Sequence, residues 1–257
     1  MGQTAAMSFR PTNFVVEVVG AGRPVIFLSG FACSGHVWDD TVEHLGRAAE
    51  SHVVTLAGVA GVPPVARPSL AGVRAEIERY IVDNALASPV IVGHSLGGML
   101  ALWLAQTVPD VGAVIDIEGL PYIGGPGEPT GSQLQSMTVR ELETWLEDVM
   151  GGMFTAADDR DRVLAESAKS DVETLAQFWR EGMQLDLRTD LGRIDAPVVV
   201  VVATDPAAPD EQAELWRSQI AAIRNADLKF LQGSHFVMFD QAAEFNAIAD
   251  TVIGIRS

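Results

Sequence analysis

The stretch Pro89-Val90-Ile91-Val92-Gly93-His94-Ser95-Leu96-Gly97-Gly98-Met99-Leu100-Ala101-Leu102-Trp103 decides how this chain is read. It opens on a short β-branched run after a proline, the mark of a buried strand, and closes on an apolar run of helix formers. Between the two lies Gly93-x-Ser95-x-Gly97, the pattern of a nucleophile elbow. In such an elbow a serine occupies a strained strand-to-helix turn and its hydroxyl stands above the sheet. Glycines two residues to either side leave room for so tight a turn. A five-residue pattern arises by chance often enough; its setting between a strand and a helix gives it weight.

The same strand-then-helix theme extends outward in both directions. Towards the N-terminus, Phe14 to Val19 alternates like an edge strand, and Gly20-Ala21-Gly22 turns the chain into the buried strand Pro24 to Leu28. Trp38, Val42 and Leu45 then recur at helical spacing. His52 to Leu56 reads as a strand, and a helix from about Ser69 carries Leu70, Val73, Ile77, Tyr80 and Ile81 on one face. Beyond the elbow, Ala113 to Ile117 is a further strand. From Leu120 to Asp195 the strand rhythm stops and helical patterns replace it, among them Leu142, Trp145, Leu146, Val149 and Met150. It resumes with Val198 to Val202, a helix from Pro209 to Ile223, a strand from Leu228 to Leu231 and a closing helix from Ala242 to Ile253. The predicted class is α/β: a mostly parallel central sheet with helices on both faces and a helical cap insertion. Residues 1–119 form the first part of the core, 120–195 the cap and 196–257 the second part.

Composition narrows the function. A chain of 257 residues with 48% apolar and 20% charged residues can bury roughly 70 to 75% of its unfolded surface, which excludes disorder, collagen and coiled coil as its main character. Its 34 acidic against 17 basic side chains give a formal charge of -17, a field that repels phosphate backbones and anionic lipid. The expected partner is a small molecule, with no nucleic acid and no membrane. Cys33 is alone, so neither an intramolecular disulfide nor a cysteine-rich zinc site can form. The N-terminus lacks a signal-like apolar run and no segment reaches about 18 consecutive apolar residues, so the expected location is the cytoplasm. With no metal-ligand spacing and no P-loop, the expectation is no metal and no cofactor.

A serine hydroxyl needs a general base, usually an imidazole held by a carboxylate. His235 follows the last strand, at the sheet edge where open α/β folds place their sites, and is the expected base. His36, His44 and His52 sit in or beside early elements and read as surface or structural residues; His94, on the elbow, is expected to line the site. For the carboxylate, Asp205 directly follows the strand Val198 to Val202 and is the leading choice. Asp210, a helix N-terminal residue, and Glu118, at the end of the strand Ala113 to Ile117, are the alternatives. Two backbone N–H groups must meet the oxyanion. Leu96, just after the serine, supplies one, and Phe31, in the loop Ser29-Gly30-Phe31, the other. The Phe31 side chain is then free to line the acyl pocket. Cys33, two residues on, reads as packing.

Several of these blocks in this order resemble the α/β-hydrolase superfamily, in its compact single-domain serine-esterase form. The resemblance runs from about Phe14 to the C-terminus. It rests on Ser29-Gly30-Phe31 with Trp38, Gly93-His94-Ser95-Leu96-Gly97-Gly98, Leu191-x-x-Ile194-x-x-Pro197, and Gly233-Ser234-His235-Phe236 ahead of Phe245-Asn246. Two departures stand out: Ser29-Gly30 replaces the usual His-Gly, and Asp240 lacks the proline that commonly follows. The resemblance implies the chain order Ser95, Asp205, His235 and a hydrolase that cleaves neutral, fairly apolar carboxylic esters through an acyl-enzyme. Lactone opening, acyl transfer, perhydrolysis and carbon–carbon bond hydrolysis use the same constellation, and a non-catalytic receptor on this fold is the reading from another class. In the cap, Met137, Met150, Met153, Phe154, Phe178, Trp179 and Met183 are candidates for an apolar roof, with Trp179 the expected substrate contact.

Overall fold

The computed structural model describes residues 11–123, 139–204 and 209–255. Its strands are β1 (Phe14–Gly20), β2 (Arg23–Leu28), β3 (Ala49–Leu56), β4 (Val90–His94), β5 (Ala113–Ile117), β6 (Val198–Thr204) and β7 (Ala226–Gln232). They form one sheet in the order β1-β3-β2-β4-β5-β6-β7. Only the β1–β3 pair is antiparallel; the other pairs are parallel. That is the predicted class. β4 and β5 are buried at every position, which is why their sequences are near-continuous Val/Ile runs without alternation. β1, at the edge, leaves Val15, Val18 and Val19 exposed.

Helices α1 (Asp39–Leu45), α2 (Leu70–Asp83) and α3 (Leu96–Thr107) link the first strands. α2 starts where the sequence predicts because the Ser69 side chain caps it, accepting from Gly72 N–H at 3.0 Å. α3 runs through the middle of the molecule, with Leu96, Met99, Leu100, Leu102 and Leu104 buried. Between β5 and β6 lie α4 (Val139–Met150), α5 (Ala157–Ser167) and α6 (Val172–Gln184), then a 3-10 segment at Arg188–Arg193. After β6 come α7 (Pro209–Ile220), β7, the single turn α8 (Val237–Asp240) and α9 (Ala242–Ile253).

α5 and α8 are absent from the sequence reading for a physical reason. α5 reads Ala-Asp-Asp-Arg-Asp-Arg-Val-Leu-Ala-Glu-Ser and buries only Val163 and Ser167, so it has no apolar stripe to announce it; α8 is too short to show one. The helices between β5 and β6 are tied to the core by polar bonds as well as by packing. Ser167 Oγ donates to Ala32 O at 2.8 Å, Asp171 N to Gly58 O at 2.7 Å, and Leu70 N to Glu181 Oε2 at 2.6 Å. Leu175 and Phe178 of α6 are buried, each contributing about 1.5 to 3 kcal/mol of apolar burial. Among the described residues no helix is long and apolar enough to cross a membrane.

Candidate active site

Ser95 lies between β4 and α3 with φ 54 and ψ -117, a backbone that a residue with a Cβ adopts only under constraint. The constraint is visible. Ser95 N donates to Ile117 O at 2.7 Å and Met99 N to Ser95 O at 3.1 Å, tying the turn to β5 on one side and α3 on the other. The glycines of the motif are steric requirements. A Cβ on Gly93 would overlap the Gly97 carbonyl oxygen, and one on Gly97 would overlap that of Leu28. Elbow, helix and the start of the loop after β2 thus approach at backbone distance. Leu96 opens α3, so its N–H is one of the helix's unpaired first-turn donors.

The loop after β2 is closed by one side-chain and one backbone hydrogen bond of its own. Ser29 Oγ donates to Ser34 O at 2.8 Å and Cys33 N to Gly30 O at 3.1 Å, while Ala32 takes φ 59. Ser29 is a brace for the Gly30–Phe31 turn. Ser34 Oγ also bonds Glu166 of α5. Cys33 is buried, and burial with the nearby Glu166 pushes its thiol up to about 12, so it is not a thiolate nucleophile.

His235 stands on the loop after β7, which is held by Asp240: Asp240 Oδ2 accepts from Ser234 N at 2.6 Å and Ser234 Oγ at 2.7 Å. The acid that lacks its proline therefore anchors the histidine loop. His235 Nδ1 lies 3.1 Å from Glu118 Oε2, with both side chains largely buried. The other oxygen, Glu118 Oε1, accepts from Ala203 N at 2.8 Å. The carboxylate at the histidine is thus the alternative from the end of β5. Asp205, the leading choice from the sequence, lies outside the described residues; Asp210 starts α7 with its side chain exposed. Strand-end geometry gives the reason. Glu118 follows β5 directly, with φ 56, and the Ala203 N–H at the end of β6 takes up its outer oxygen.

His94 is buried to 1% exposure. Its Nε2 bonds His235 O at 2.9 Å, and its ring lies 4.7 Å from the His235 ring and 4.5 Å from Phe236. Burial, with His235 nearby, holds its pKa well below the ordinary histidine range, so it stays neutral. A neutral His94 donates from Nε2 and so props the backbone of His235. The other histidines sit as expected from their positions: His36 and His44 pair with Asp39 and Asp250 at the surface, and His52 is buried between Tyr80 and Glu50.

Ser95, His235 and His94 line one small cavity of about 60 Å³ together with Phe31, Cys33, Met150, Met153, Trp179 and Phe236. Phe31, Trp145 and Trp179 pack edge to face, with centroids 5.1 to 6.0 Å apart. Phe154 stacks on Phe236 at 4.1 Å. Trp145 joins this wall although the sequence offers it only as one of several apolar positions of a helix. Phe178, by contrast, is core, and Met137 lies outside the described residues. A larger cavity of about 820 Å³, between β1, β3 and α1, shares no lining residue with the serine's cavity and carries Glu17, Asp39, Glu43 and Glu166 against Arg47, Lys169 and His36.

A family model described as "Alpha/beta hydrolase family" matches residues 25–248. A pimeloyl-[acyl-carrier protein] methyl ester esterase of Xanthomonas oryzae pv. oryzae is 30% identical over 197 residues, covering 69% of this chain and 73% of that protein. Its counterpart in Nitrosomonas europaea is 25% identical over 219 residues, covering 79% and 85%. In three dimensions the chain resembles a hydrolase from Pseudomonas aeruginosa PA01, with TM-score 0.79, 20% identity and 98% and 99% of the two chains covered. It resembles equally an enol-lactonase from Burkholderia xenovorans LB400, with TM-score 0.79, 17% identity and 94% and 96% covered. The chain belongs to the alpha/beta hydrolase family and is a carboxylic ester hydrolase.

Proposed function

We propose that the protein is a serine esterase that works through an acyl-enzyme, with Ser95 as nucleophile, His235 as base and Glu118 as the carboxylate that orients it. The observation that carries this reading is the Glu118 Oε2 to His235 Nδ1 contact of 3.1 Å beside an elbow serine lining the same cavity. A carboxylate on Nδ1 keeps the proton there and leaves Nε2 as the basic nitrogen. Ser95 Oγ attacks the ester carbonyl carbon and its proton passes to Nε2. The tetrahedral oxyanion meets the Leu96 and Phe31 N–H groups. As the carbon–oxygen bond to the alcohol breaks, Nε2–H protonates the leaving oxygen, and the acyl group stays on Ser95. Water then attacks the acyl carbon, gives a proton to Nε2, and the carboxylic acid leaves as Oγ recovers that proton.

The substrate reading is a neutral, fairly apolar ester of modest size. Its support is the aromatic and methionine lining of the cavity and the formal charge of -17, which disfavours strongly anionic ligands. The curated relatives are named for methyl esters of an acid carried on a protein, which makes methyl esters of longer acids the second reading. Exposed Glu141, Glu147, Asp148, Asp158 and Asp161 on α4 and α5, against exposed Arg140 and Arg162, add to that negative field beside the cavity's helices. A fluorophosphonate probe tests the catalytic reading. Labelling of the wild type that disappears in Ser95→Ala supports it, and a folded wild type that takes no label overturns it.

A further inference from the structure

We propose that Asp116, two residues before Glu118 and inside the sheet, is the positioning residue that closes the turn from which Glu118 reaches His235. The inference rests on the reading of Glu118 as the carboxylate of the site. Asp116 is fully buried on β5, in the run Ala113-Val114-Ile115-Asp116-Ile117, where every neighbour is apolar. A carboxyl group in such a place is costly unless it is bonded. Its Oδ1 has one partner, the Gly119 N–H at 3.0 Å, and its Oδ2 has none among the described residues.

The position of that bond gives it a consequence. Glu118 N donates to Val201 O at 3.0 Å, the last rung that ties this strand end to β6. The next N–H along the chain, that of Gly119, turns back to Asp116. Glu118 is held between these two bonds at φ 56, a conformation that a glutamate does not choose by itself. Held so, its side chain spans from Ala203 N on one oxygen to His235 Nδ1 on the other. Without the Asp116 acceptor the Gly119 N–H is released and the left-handed residue is free to relax.

The surroundings are shaped around the same carboxyl. A Cβ on Gly98 of α3 and a Cβ on Gly119 would each overlap Asp116 Oδ1, and each would also fall within 3 Å of the other glycine's Cα. Gly98 thus has a second role beside the elbow: it makes room for the group that sets the acid turn. Burial, reinforced by the nearby Glu118, holds the Asp116 carboxyl well above the ordinary carboxylate range, which favours its protonated form. What the turn uses is the acceptor oxygen, not a charge, and an asparagine can supply that.

Asp116→Ala, Asp116→Asn and Glu118→Gln, each confirmed as folded, provide the test on a chromogenic acetate ester. The expectation for Asp116→Ala is a loss of about 10²-fold in kcat with KM nearly unchanged, the scale of a displaced catalytic group. It should also lose the strongly downfield proton resonance of an imidazole N–H bonded to a carboxylate. Asp116→Asn should keep both the rate and the resonance. An Asp116→Ala protein with wild-type kcat and resonance overturns the positioning role while leaving Glu118 in place. An Asp116→Asn protein as impaired as the alanine variant overturns it too, since the acceptor would then not be what matters. Should alanine not fold, Asp116→Leu, which fills the same space without an acceptor, takes its place with the same expected and overturning results. An active Glu118→Gln enzyme removes the acid reading itself, and the positioning role with it.

Discussion

The ends of β4 and β5 are neighbours built to one plan. Each is a fully buried parallel strand that ends in a residue with positive φ, Ser95 at 54° and Glu118 at 56°, and the two are joined by the 2.7 Å bond from Ser95 N to Ile117 O. Each turn is made possible by nearby glycines, Gly93 and Gly97 for the first, Gly98 and Gly119 for the second. They differ in what holds the strained residue. At the serine the backbone suffices, since a helix begins at once and takes up the chain. At the glutamate no helix follows directly, and a buried side chain, Asp116, does the holding. Here the strained residue that opens a helix is held by the helix, and the one that opens a loop by a side chain.

The largest effect expected on this comparison is at the nucleophile. Ser95→Ala should lower kcat by about 10⁶-fold, the scale seen when a nucleophile that acts as part of a unit is removed, and a far smaller loss would mean that the elbow is not where the reaction occurs. Next come the glycines. Gly97→Ala places a Cβ on backbone atoms alone, those of Leu28 and Ser29, whereas Gly119→Ala places one first on the Asp116 carboxyl and then, at 2.7 Å, on the Gly98 backbone. Thermal unfolding and kcat together should show the first as the more damaging to both; the reverse order would contradict the division between a backbone-held and a side-chain-held turn.

This difference also explains what the sequence disclosed. The elbow is legible because its steric demands fall on a fixed spacing of Gly, Ser and Gly, and the strand-helix setting is strong on both sides. His235 is legible from its place after the last strand, and the parallel sheet from its Val/Ile runs. Glu118 reads in the sequence only as one of several acids near strand ends. That it meets His235 and the Ala203 N–H follows from packing and backbone direction, which no local pattern announces. The aromatic wall of Phe31, Trp145 and Trp179 joins residues more than a hundred positions apart, and helical spacing alone shows such residues merely as apolar.

Two smaller effects sharpen the same picture. Because burial favours the protonated form of Asp116 in the folded chain while the unfolded chain releases that proton above about pH 4, stability falls as pH rises from there. Asp116→Asn removes this dependence, so its Tm should exceed that of the wild type at pH 7, with the gap closing on acidification. An equal Tm difference at both pH values would mean that Asp116 is not held in its acid form. Opening the aromatic wall by Trp179→Ala should shift the preferred acyl chain to greater length while the acyl-enzyme burst on an acetate ester stays nearly intact. An unchanged chain-length profile would place acyl selection away from this wall.

The account turns on which strand end supplies the carboxylate to His235, and kcat for Glu118→Gln measured beside Asp205→Asn on one ester addresses it most directly. A carboxylate in this role is worth about 10⁴-fold in kcat when replaced by its amide. The geometry at His235 predicts that loss for Glu118→Gln and a small change for Asp205→Asn. A severe loss in Asp205→Asn with near wild-type turnover in Glu118→Gln would contradict it and return the role to the end of β6.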